Sequence, residues 1–373
     1  MNIYNSLTKR IEEFKPINPK RVTAYVCGIT PYDTTHLGHA FTYIFFDTLL
    51  RYLRFKGYEV IYTQNVTDIN DRDNDILERA RIQNIPWRKL ADFWTKKFLE
   101  DMKALNWIKP TNYLYASKEI ESMIKIIEIL LQKKLAYKLS GSVYLNISKF
   151  SSYGNLSGFS KDKMLKIAKD FGEDLNITLW KAIKENQAAH IPSFPSPFGP
   201  GRPGWHIECS AMSMKTLREQ IDIHGGGKDL IFPHHEAEIA QSEGATGKKP
   251  FAKYWIHSST VYYQGQKMSK SKGNLVLVSD LLKKYSPNAI RWLLLSNHFR
   301  KDWEYKAGYL KKAQIIVDSI EKNLASQVID PERSRRRPTL GPALEDNFNT
   351  PKALEILTKN PSRKMYKLLG FKI

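Results

Sequence analysis

The sequence predicts an α/β protein with a parallel sheet, because strand-like and helix-like segments alternate near its start. An apolar, β-branched run at 22–26 predicts a strand, the turn-rich CGITPYD follows it, and AFTYIFFDTLLRYLRF then has a helical pattern. A second apolar run, EVIYTQ, ends at the polar NVTD (65–68). A third run, QIDIH, leads into GGGKD (225–229), which predicts a strand followed by a glycine-rich turn. Strand ends of this kind are typical of α/β folds that bind a ligand at that edge of the sheet.

Two short motifs, HLGH and KMSKS, predict a nucleotide site. HLGH (36–39) opens the predicted helix, where backbone N–H groups and the helix dipole favour phosphate. His36 and His39 can donate to phosphate oxygens, and Gly38 lets a flat base approach the backbone. KMSKS (267–271) places Lys267 and Lys270 in a loop that can close on charge developing in a transition state. Either motif alone is also compatible with chance or with a solvated basic turn, but together and in this order they recur in enzymes that attack ATP with a carboxylate.

The composition describes a protein with a substantial core and a strong positive charge. The chain has 373 residues and a formal net charge of +20. Such a surplus suits a polyanionic partner such as RNA, although a lysine-rich proteome would give the same balance. No apolar run approaches the roughly 18 residues of a membrane span, and the first residues lack the apolar core of a secretory signal. We therefore expect a cytoplasmic protein without membrane contact.

The two cysteines, Cys27 and Cys209, have a possible role beyond packing. In a cytosolic chain, two cysteines are more often free thiols than a disulfide. His234 and Glu238 are four residues apart, so on a helix they would share one face. Two thiolates, an imidazole and a carboxylate form a suitable set for Zn²⁺, but this spacing alone does not separate a metal site from buried thiols. The intervening 235–236 pair has no required role and is expected behind the ligands or at the surface.

The motifs together resemble the cysteine-activating branch of the class I aminoacyl-tRNA synthetases. The resemblance rests on CGIT followed by HLGH, on GRPGWHIECSA, on IHGGGKDLIFPHHE and on KMSKSKGN. It implies a Rossmann-like parallel sheet with a connective insert, followed by a small C-terminal helical region. It also implies one zinc ion per chain that binds the substrate thiolate, at the positions matching Cys27, Cys209, His234 and Glu238. A soft thiolate on zinc is preferred to a hydroxyl, so cysteine can be separated from serine without an editing domain.

The resemblance also implies which residues surround the adenylate. Asp229, after the glycine-rich segment, is expected at the ribose hydroxyls. Trp205 follows a proline and a glycine, a position from which it would close over a small substrate or, equally well, pack in the core. The full set of expected ATP and substrate contacts is Gly28, Ile29, Thr30, Gly38, Thr42, Asn65, Val66, Thr67, Trp205, Gly227, Lys228, Asp229 and Val261.

The implied reaction joins cysteine to AMP. The cysteine carboxylate attacks the α-phosphate of ATP, and cysteinyl adenylate and pyrophosphate form. His36 and His39 hold the phosphates, while Lys267 and Lys270 neutralise the leaving pyrophosphate. No general base is needed, because the carboxylate is already ionised at neutral pH. Mg²⁺ is expected with ATP, although the sequence indicates no dedicated carboxylate site for it.

The expected domain organisation follows from the resemblance and from composition. A helical pattern, SKEIESMIKIIEILLQKK, and a strand-like SVYLNIS lie in the connective insert, which ends in the proline-rich IPSFPSPFGPGRPG. Helices are expected after KMSKS and in the tail, and the basic string PERSRRRP is expected to be a connector or an RNA-contacting turn. The predicted divisions are a catalytic domain in two pieces (1–115 and 202–262), the insert (116–201), the KMSKS loop with stem-contact helices (263–330) and a shortened helical C-terminal region (331–373).

The acceptor of the cysteinyl group has two interpretations. The stretch after KMSKS is short for a cysteinyl-tRNA synthetase, and CGITPYDTTHLGHAFTY also resembles the mycothiol-pathway ligase, which transfers cysteine to the amino group of glucosaminyl-inositol. Glu238 and HIECSAM resemble the synthetases instead, and the +20 charge suits an RNA acceptor. We therefore expect a monomeric enzyme that uses L-cysteine, ATP and tRNA(Cys), with the amino sugar as the alternative. A non-catalytic RNA-binding relative is disfavoured, because neither the histidines nor the lysines of the two motifs are lost.

Overall fold

The computed structural model describes residues 1–72, 75–170, 177–184, 190–268, 273–326 and 339–373. Its strands, numbered along the chain, are β1 (Asn2–Asn5), β2 (Arg10–Glu13), β3 (Arg21–Ile29), β4 (Glu59–Val66), β5 (Asn112–Tyr115), β6 (Ala136–Leu139), β7 (Ser142–Leu145), β8 (Ile177–Ala182), β9 (Gly201–Pro203), β10 (Ile221–Gly227), β11 (Ala252–Ser258), β12 (Val261–Tyr263), β13 (Gln266–Lys267) and β14 (Trp303–Glu304).

The α-helices within the described residues are α1 (Leu37–Phe55), α2 (Ile76–Ile82), α3 (Trp87–Ala104), α4 (Ile120–Gln132), α5 (Lys161–Asp170), α6 (Trp205–Leu217), α7 (Glu236–Thr246), α8 (Val278–Leu282), α9 (Pro287–Leu295), α10 (Ala307–Ser326), α11 (Gly341–Glu345), α12 (Thr350–Lys359) and α13 (Arg363–Leu368). In this part of the chain, none of them is long and apolar enough to cross a membrane.

The central sheet has five parallel strands in the order β11-β10-β3-β4-β5. The chain passes through α1 between β3 and β4, and through α7 between β10 and β11. Strands β4 and β5 extend the sheet on one side of β3, while β11 extends it beyond β10 on the other. The winding direction therefore changes between β3 and β10, and the carboxyl ends of those two strands are where such a sheet binds its ligand. The predicted α/β fold with a parallel sheet is confirmed.

Strand β3 and helix α1 form the centre of the core. Ala24, Tyr25, Val26 and Cys27 of β3 are buried one after another, as expected for a strand covered on both faces. Thirteen of the residues of α1 are buried, so the helix is apolar around most of its circumference. The predicted helix is thus found, and its start is fixed next to the end of β3.

The glycine-rich segment differs from its prediction. Gly225 to Gly227 continue β10 and pair with β11, so the turn begins only at the short helix Lys228–Leu230. A Cβ on Gly225 would lie 2.2 Å from the ring of Phe46 and 2.9 Å from the carbonyl oxygen of Ile256. Gly225 therefore lets α1 pack closely on the strand, which the sequence pattern did not reveal.

The insert and the C-terminal region each contain the predicted kinds of element. Strands β6 to β9 form an antiparallel sheet in that order, and α4 and β7 occupy the predicted helical and strand-like segments. Strand β9 leads directly into α6. At the other end of the chain, α12 and α13 are the short helices expected in the tail. PERSRRRP (331–338) lies outside the described residues, and the domain boundaries stay predictions.

Candidate active site

A cleft of about 350 Å³ opens at the carboxyl ends of β3, β4 and β10. It brings together most of the side chains that the sequence predicted for the site. Val66 and Glu238 are fully buried and do not line it, and Lys270 lies outside the described residues. The predicted residues that line the cleft are Cys27, Gly28, Ile29, Thr30, His36, Gly38, His39, Thr42, Asn65, Thr67, Trp205, Cys209, Gly227, Lys228, Asp229, His234, Val261 and Lys267.

The HLGH segment forms the N-terminal end of α1. His36 is the N-cap residue, and its Nδ1 accepts hydrogen bonds from the backbone N–H groups of Gly38 (3.1 Å) and His39 (3.4 Å). Because Nδ1 is an acceptor, the proton of the neutral ring is on Nε2, the form that donates to a phosphate oxygen. The ring of His39 stacks on that of His36 at 3.8 Å. A Cβ on Gly38 would lie 2.9 Å from the His36 ring, so glycine also makes room for this cap.

The ends of β3 and β4 are held together by side-chain bonds around Asn65. Its Oδ1 accepts from the backbone N–H of Gly28 (2.8 Å), and its Nδ2 donates to Thr67 Oγ1 (3.1 Å). A Cβ on Gly28 would lie 1.5 Å from the carbonyl oxygen of Asn65, so no side chain fits there. On the far side of the cleft, Thr42 and Ser258 join their hydroxyls at 2.7 Å. These bonds connect the elements that form the wall of the cleft.

Cys27, Cys209, His234 and Glu238, hereafter the donor cluster, meet at the bottom of the cleft. Their donor atoms all lie within 4.8 Å of one another, and all four side chains are buried. The two sulfur atoms are 3.8 Å apart, and Cys209 Sγ is 3.4 Å from His234 Nε2. Glu238 Oε1 is 3.1 Å from His234 Nε2 and 3.7 Å from Cys27 Sγ. Residues far apart in the sequence thus present four metal-ligating atoms to one point.

These separations fit the edges of a tetrahedral metal site. Zinc bonds of about 2.3 Å to sulfur and about 2.0–2.1 Å to nitrogen or oxygen place two sulfurs about 3.8 Å apart, sulfur and nitrogen about 3.6 Å apart, and nitrogen and oxygen about 3.3 Å apart. The sulfur–sulfur edge of the donor cluster is 3.8 Å, and its nitrogen–oxygen edge is 3.1 Å. The cluster can therefore hold such an ion with little movement.

Burial sets the protonation of the donor cluster. It raises the pKa of the Cys27 thiol well above its ordinary value, and neighbouring Cys209 adds to the rise. It also raises the pKa of Glu238 and lowers that of His234. Without a cation, Cys27, Glu238 and His234 therefore favour their neutral forms. A divalent ion favours the thiolates and the carboxylate, so metal binding would release protons.

Two histidines that the sequence did not single out as ligands also reach Cys27. His235 Nε2 lies 3.3 Å and His224 Nε2 lies 3.6 Å from its sulfur, and with Glu238 they make a second set of donors. His235 Nδ1 is 2.7 Å from His257 Nε2, which extends the contact into the core. QIDIH alternates polar and apolar residues, so no signal in the sequence sets His224 apart from Gln220 or Asp222.

His235 and Glu236, which follow the predicted ligand His234, are both buried. The alternative expectation, that they lie at the surface, is therefore wrong. His235 lies behind Cys27, as described above. The Glu236 carboxylate accepts from the backbone N–H groups of Gly154 (3.0 Å) and Ser157 (2.7 Å). It therefore ties the start of α7 to the segment that precedes α5.

The ATP side of the cleft contains two ion pairs. Lys267 Nζ is 2.9 Å from Asp229 Oδ2, and Lys228 Nζ is 2.9 Å from Asp302 Oδ2. The first pair joins the residue predicted for the pyrophosphate to the residue predicted for the ribose. Both side chains are about half exposed, so the attraction is weak enough for a ligand to replace it.

Comparison with known proteins identifies the family. Residues 13–315 match the family of the class I (C) tRNA synthetase catalytic domain. The chain belongs to this cysteine–tRNA ligase family. It is 43% identical to the cysteine–tRNA ligase of Thermodesulfovibrio yellowstonii, covering 96% of this chain and 77% of that one. It is also 42% identical to the cysteine–tRNA ligase of Legionella pneumophila (strain Corby), covering 96% of this chain and 79% of the relative.

Solved structures of other class I synthetases share the fold of this cysteine–tRNA ligase family member. Mycobacterium tuberculosis methionyl-tRNA synthetase in complex with methionyl-adenylate superposes with a TM-score of 0.63 at 16% identity, covering 94% of this chain and 87% of that chain. A putative arginyl-tRNA synthetase from Campylobacter jejuni gives a TM-score of 0.58 at 16% identity, covering 94% of this chain and 91% of that chain. At this identity the likeness concerns the fold alone, and it agrees with the predicted synthetase architecture.

Proposed function

We propose that this chain activates L-cysteine with ATP and transfers the cysteinyl group to tRNA(Cys). As a member of the cysteine–tRNA ligase family, it is a ligase of the aminoacyl-tRNA synthetase type. The observation that carries the specific proposal is the position of the donor cluster at the bottom of the same cleft that receives the N-terminal end of α1. One end of the cleft suits a thiol, and the other suits phosphate.

The first step needs positioning and electrostatic stabilisation. The cysteine carboxylate attacks the α-phosphorus of ATP, the bond to the bridging oxygen of the β-phosphate breaks, and pyrophosphate leaves with the electron pair. His36 and His39 donate to phosphate oxygens at the end of α1, where the helix dipole adds to the attraction. Nothing has to remove a proton from the substrate carboxylate, so the side chains only hold the reactants in line and offset charge.

Lys267 and Asp229 are proposed to exchange partners during this step. In the structure, Lys267 Nζ donates to Asp229 Oδ2 across 2.9 Å. ATP that places its ribose hydroxyls at Asp229 releases Lys267, which then neutralises the developing pyrophosphate together with Lys270. Mg²⁺ accompanies ATP in this scheme. The backbone at Gly28 and the wall at Thr42 and Val261 complete the adenylate pocket.

The donor cluster is proposed to hold one zinc ion, on the basis of its ligand types and separations. When bound, zinc supplies a soft Lewis acid that prefers the substrate thiolate to the hydroxyl of serine. The residues of the chain provide the rest of the selectivity. They exclude water from the bottom of the cleft, and His235 and His224 fix the position of Cys27 from behind.

The transfer step completes the reaction. A ribose hydroxyl at the 3′ end of the tRNA attacks the carbonyl carbon of the adenylate, and AMP leaves. The net charge of +20 suits this RNA acceptor, because each phosphate contact is strengthened by a cation. We also propose that the protein acts as a monomer in the cytoplasm, where its tRNA substrate is found.

An acceptor assay tests the proposal. Purified protein is incubated with ATP and labelled cysteine, with total tRNA in one reaction and glucosaminyl-inositol in the other. We expect label on tRNA alone. Label on the amino sugar would make the chain a thiol-biosynthesis ligase, and a lack of cysteine-dependent ATP–pyrophosphate exchange would contradict the activation step itself.

Two substitutions test the proposed roles of His36 and Lys267 in the ATP–pyrophosphate exchange reaction. His36→Ala and Lys267→Met should each lower the exchange rate about 100-fold, because each removes a charge or donor that acts in the transition state. The matched controls are His298→Gln and Lys248→Met, which remove an imidazole and a half-exposed paired lysine outside the cleft. The assignments are wrong if the site variants keep the rate of their controls.

A further inference from the structure

We infer that Asp71 and Arg72 are positioning residues that hold Trp205 beside the donor cluster and thereby set the affinity of the pocket for the cysteine side chain. The inference rests on the proposed activation of cysteine. Neither residue lines the cleft. They follow β4 in the sequence, whereas Trp205 begins α6, so the contact joins two separate parts of the chain.

Asp71 supplies the cap that α6 lacks in its own sequence. The N-cap residue of this helix is Gly204, which has no side chain to bind the first backbone N–H groups. Asp71 Oδ1 accepts from the backbone N–H of Trp205 at 2.9 Å. A carboxylate at this position satisfies the N–H group and also interacts favourably with the helix dipole. The backbone of Trp205 is therefore fixed by a residue that is distant in sequence.

Arg72 fixes the side chain of the same tryptophan. The guanidinium carbon lies 3.9 Å from the centroid of the Trp205 ring, within the range of a cation–π contact. The ring of Trp205 also stacks on His234 of the donor cluster, with centroids 4.4 Å apart and planes inclined by 32°. Trp205 thus contacts Arg72 and a proposed metal ligand at once. Movement of the indole would change both the cleft wall and the support of the His234 ring.

The antiparallel sheet of β6 to β9 holds Asp71 in place. The carbonyl oxygen of Asp71 accepts from Lys181 Nζ at 2.6 Å and from Arg202 Nη2 at 3.1 Å. These two residues are paired across β8 and β9, so one sheet presents both cations to one carbonyl. Asn70 Oδ1 accepts from the backbone N–H of Arg72 at 2.8 Å, which fixes the turn between the two positioning residues. The sheet of β6 to β9 is therefore connected to Trp205 through this segment.

Substitutions of Asp71 or Arg72 should raise the KM for cysteine and leave the KM for ATP nearly unchanged. In Arg72→Met the side chain keeps its approximate length but loses the cation. We expect the KM for cysteine in the exchange reaction to rise about three- to tenfold, with the KM for ATP within twofold of wild type. Asp71→Ala should have the same selective effect, while Asp71→Asn keeps an oxygen acceptor and should restore most of the affinity.

A second cation–π pair provides the control. Arg300 lies 3.3 Å from the centroid of the Tyr4 ring and does not line the cleft, so Arg300→Met removes the same kind of contact elsewhere. Metal content and melting temperature are measured for every variant, and the ratio of cysteine to serine activation is determined. We expect one metal per chain throughout and a reduced ratio only in Arg72→Met and Asp71→Ala.

The possible results separate this inference from the proposed function. A normal cysteine KM in Arg72→Met overturns it, as does a parallel rise of both KM values with a lower melting temperature, which indicates a general structural role. If the wild-type protein does not activate cysteine, the proposed function fails before the variants are compared.

Discussion

Arg291 and Glu238 are both fully buried, but the protein surrounds them differently. The guanidinium of Arg291 donates to the carbonyl oxygens of Leu369 (2.6 Å) and Leu105 (2.9 Å), and it also binds Thr48 and Asp47. These groups are hereafter the Arg291 cluster. The charge of Arg291 is matched by the opposite charge of Asp47, and each of its three nitrogen atoms has an acceptor. The cluster joins α1 and α9 to Leu369, after α13. Satisfied groups of this kind hold a fold together.

The donor cluster lacks this internal balance. Two thiols and a carboxyl group lie together with imidazoles around them, and burial disfavours the ionised form of both the thiol of Cys27 and Glu238. Among the described residues, the Nδ1 atom of adjacent His224 makes no hydrogen bond. The cluster also opens into the cleft through Cys27, Cys209 and His234. The comparison shows that a buried polar cluster whose groups complete one another supports structure, whereas one that needs a cation indicates a binding site.

The largest effect should come from breaking the Arg291 cluster. Arg291→Met leaves Asp47 buried beside fewer donors and removes the bonds to Leu369 and Leu105. We expect the free energy of unfolding to fall by about 3–5 kcal/mol, measured by urea denaturation. Glu219→Gln, which breaks a half-exposed pair with Lys248, should cost less than about 1 kcal/mol. Equal losses in the two variants would contradict the structural role of the Arg291 cluster.

The donor cluster should depend on metal instead. We expect about one zinc per chain in the wild-type protein. Removing it with a chelator should lower stability by about 2.7 kcal/mol relative to protein at a free zinc concentration 100 times the dissociation constant. Cys209→Ser should bind little metal and lose its preference for cysteine over serine, while its melting temperature should no longer respond to the chelator. Metal-free wild-type protein that still separates the two amino acids would refute the zinc proposal.

A smaller effect on stability is expected at Asp101. Like Glu238, it is a buried carboxyl group, and one of its oxygens has no hydrogen-bond partner among the described residues. In the part of the chain that the structure describes, Asp101 Oδ2 makes no hydrogen bond, and burial raises the pKa of this residue from 3.8 to about 6. The folded state therefore holds the proton more tightly than the unfolded state. This contribution to stability is present below about pH 4 and is lost as the pH rises through about 6.

Asp101→Asn should remove that pH dependence. We expect the variant to be about 2 kcal/mol more stable than wild type at pH 7.5, and nearly equal to it at pH 4. The measurement is a series of urea denaturation curves across that range. A difference in stability that does not change with pH would show that the carboxylate is solvated or paired in solution.

Much of the fold and of the site could be predicted because the relevant signals are local. The apolar run of β3, the turn after it and the pattern of α1 follow one another in sequence, so the position of His36 at a helix start was predictable. The spacing of His234 and Glu238 likewise indicated that their donor atoms meet, and they lie 3.1 Å apart. The glycines at 225–227 predicted a turn, but their place inside a strand was not predictable, because it depends on their pairing with β11, which is distant in sequence.

By itself, the sequence determined the kinds of side chain in the donor cluster, the start of α1 at HLGH and the parallel α/β architecture. Only the tertiary structure decided that His224 and His235 lie behind Cys27, and that Asp71 caps α6. The physical reason is that strand pairing and loop contacts act between residues far apart in sequence. The pairing of β3 with β10 sets His224 opposite Tyr25, two residues before Cys27, and no local pattern specifies that register.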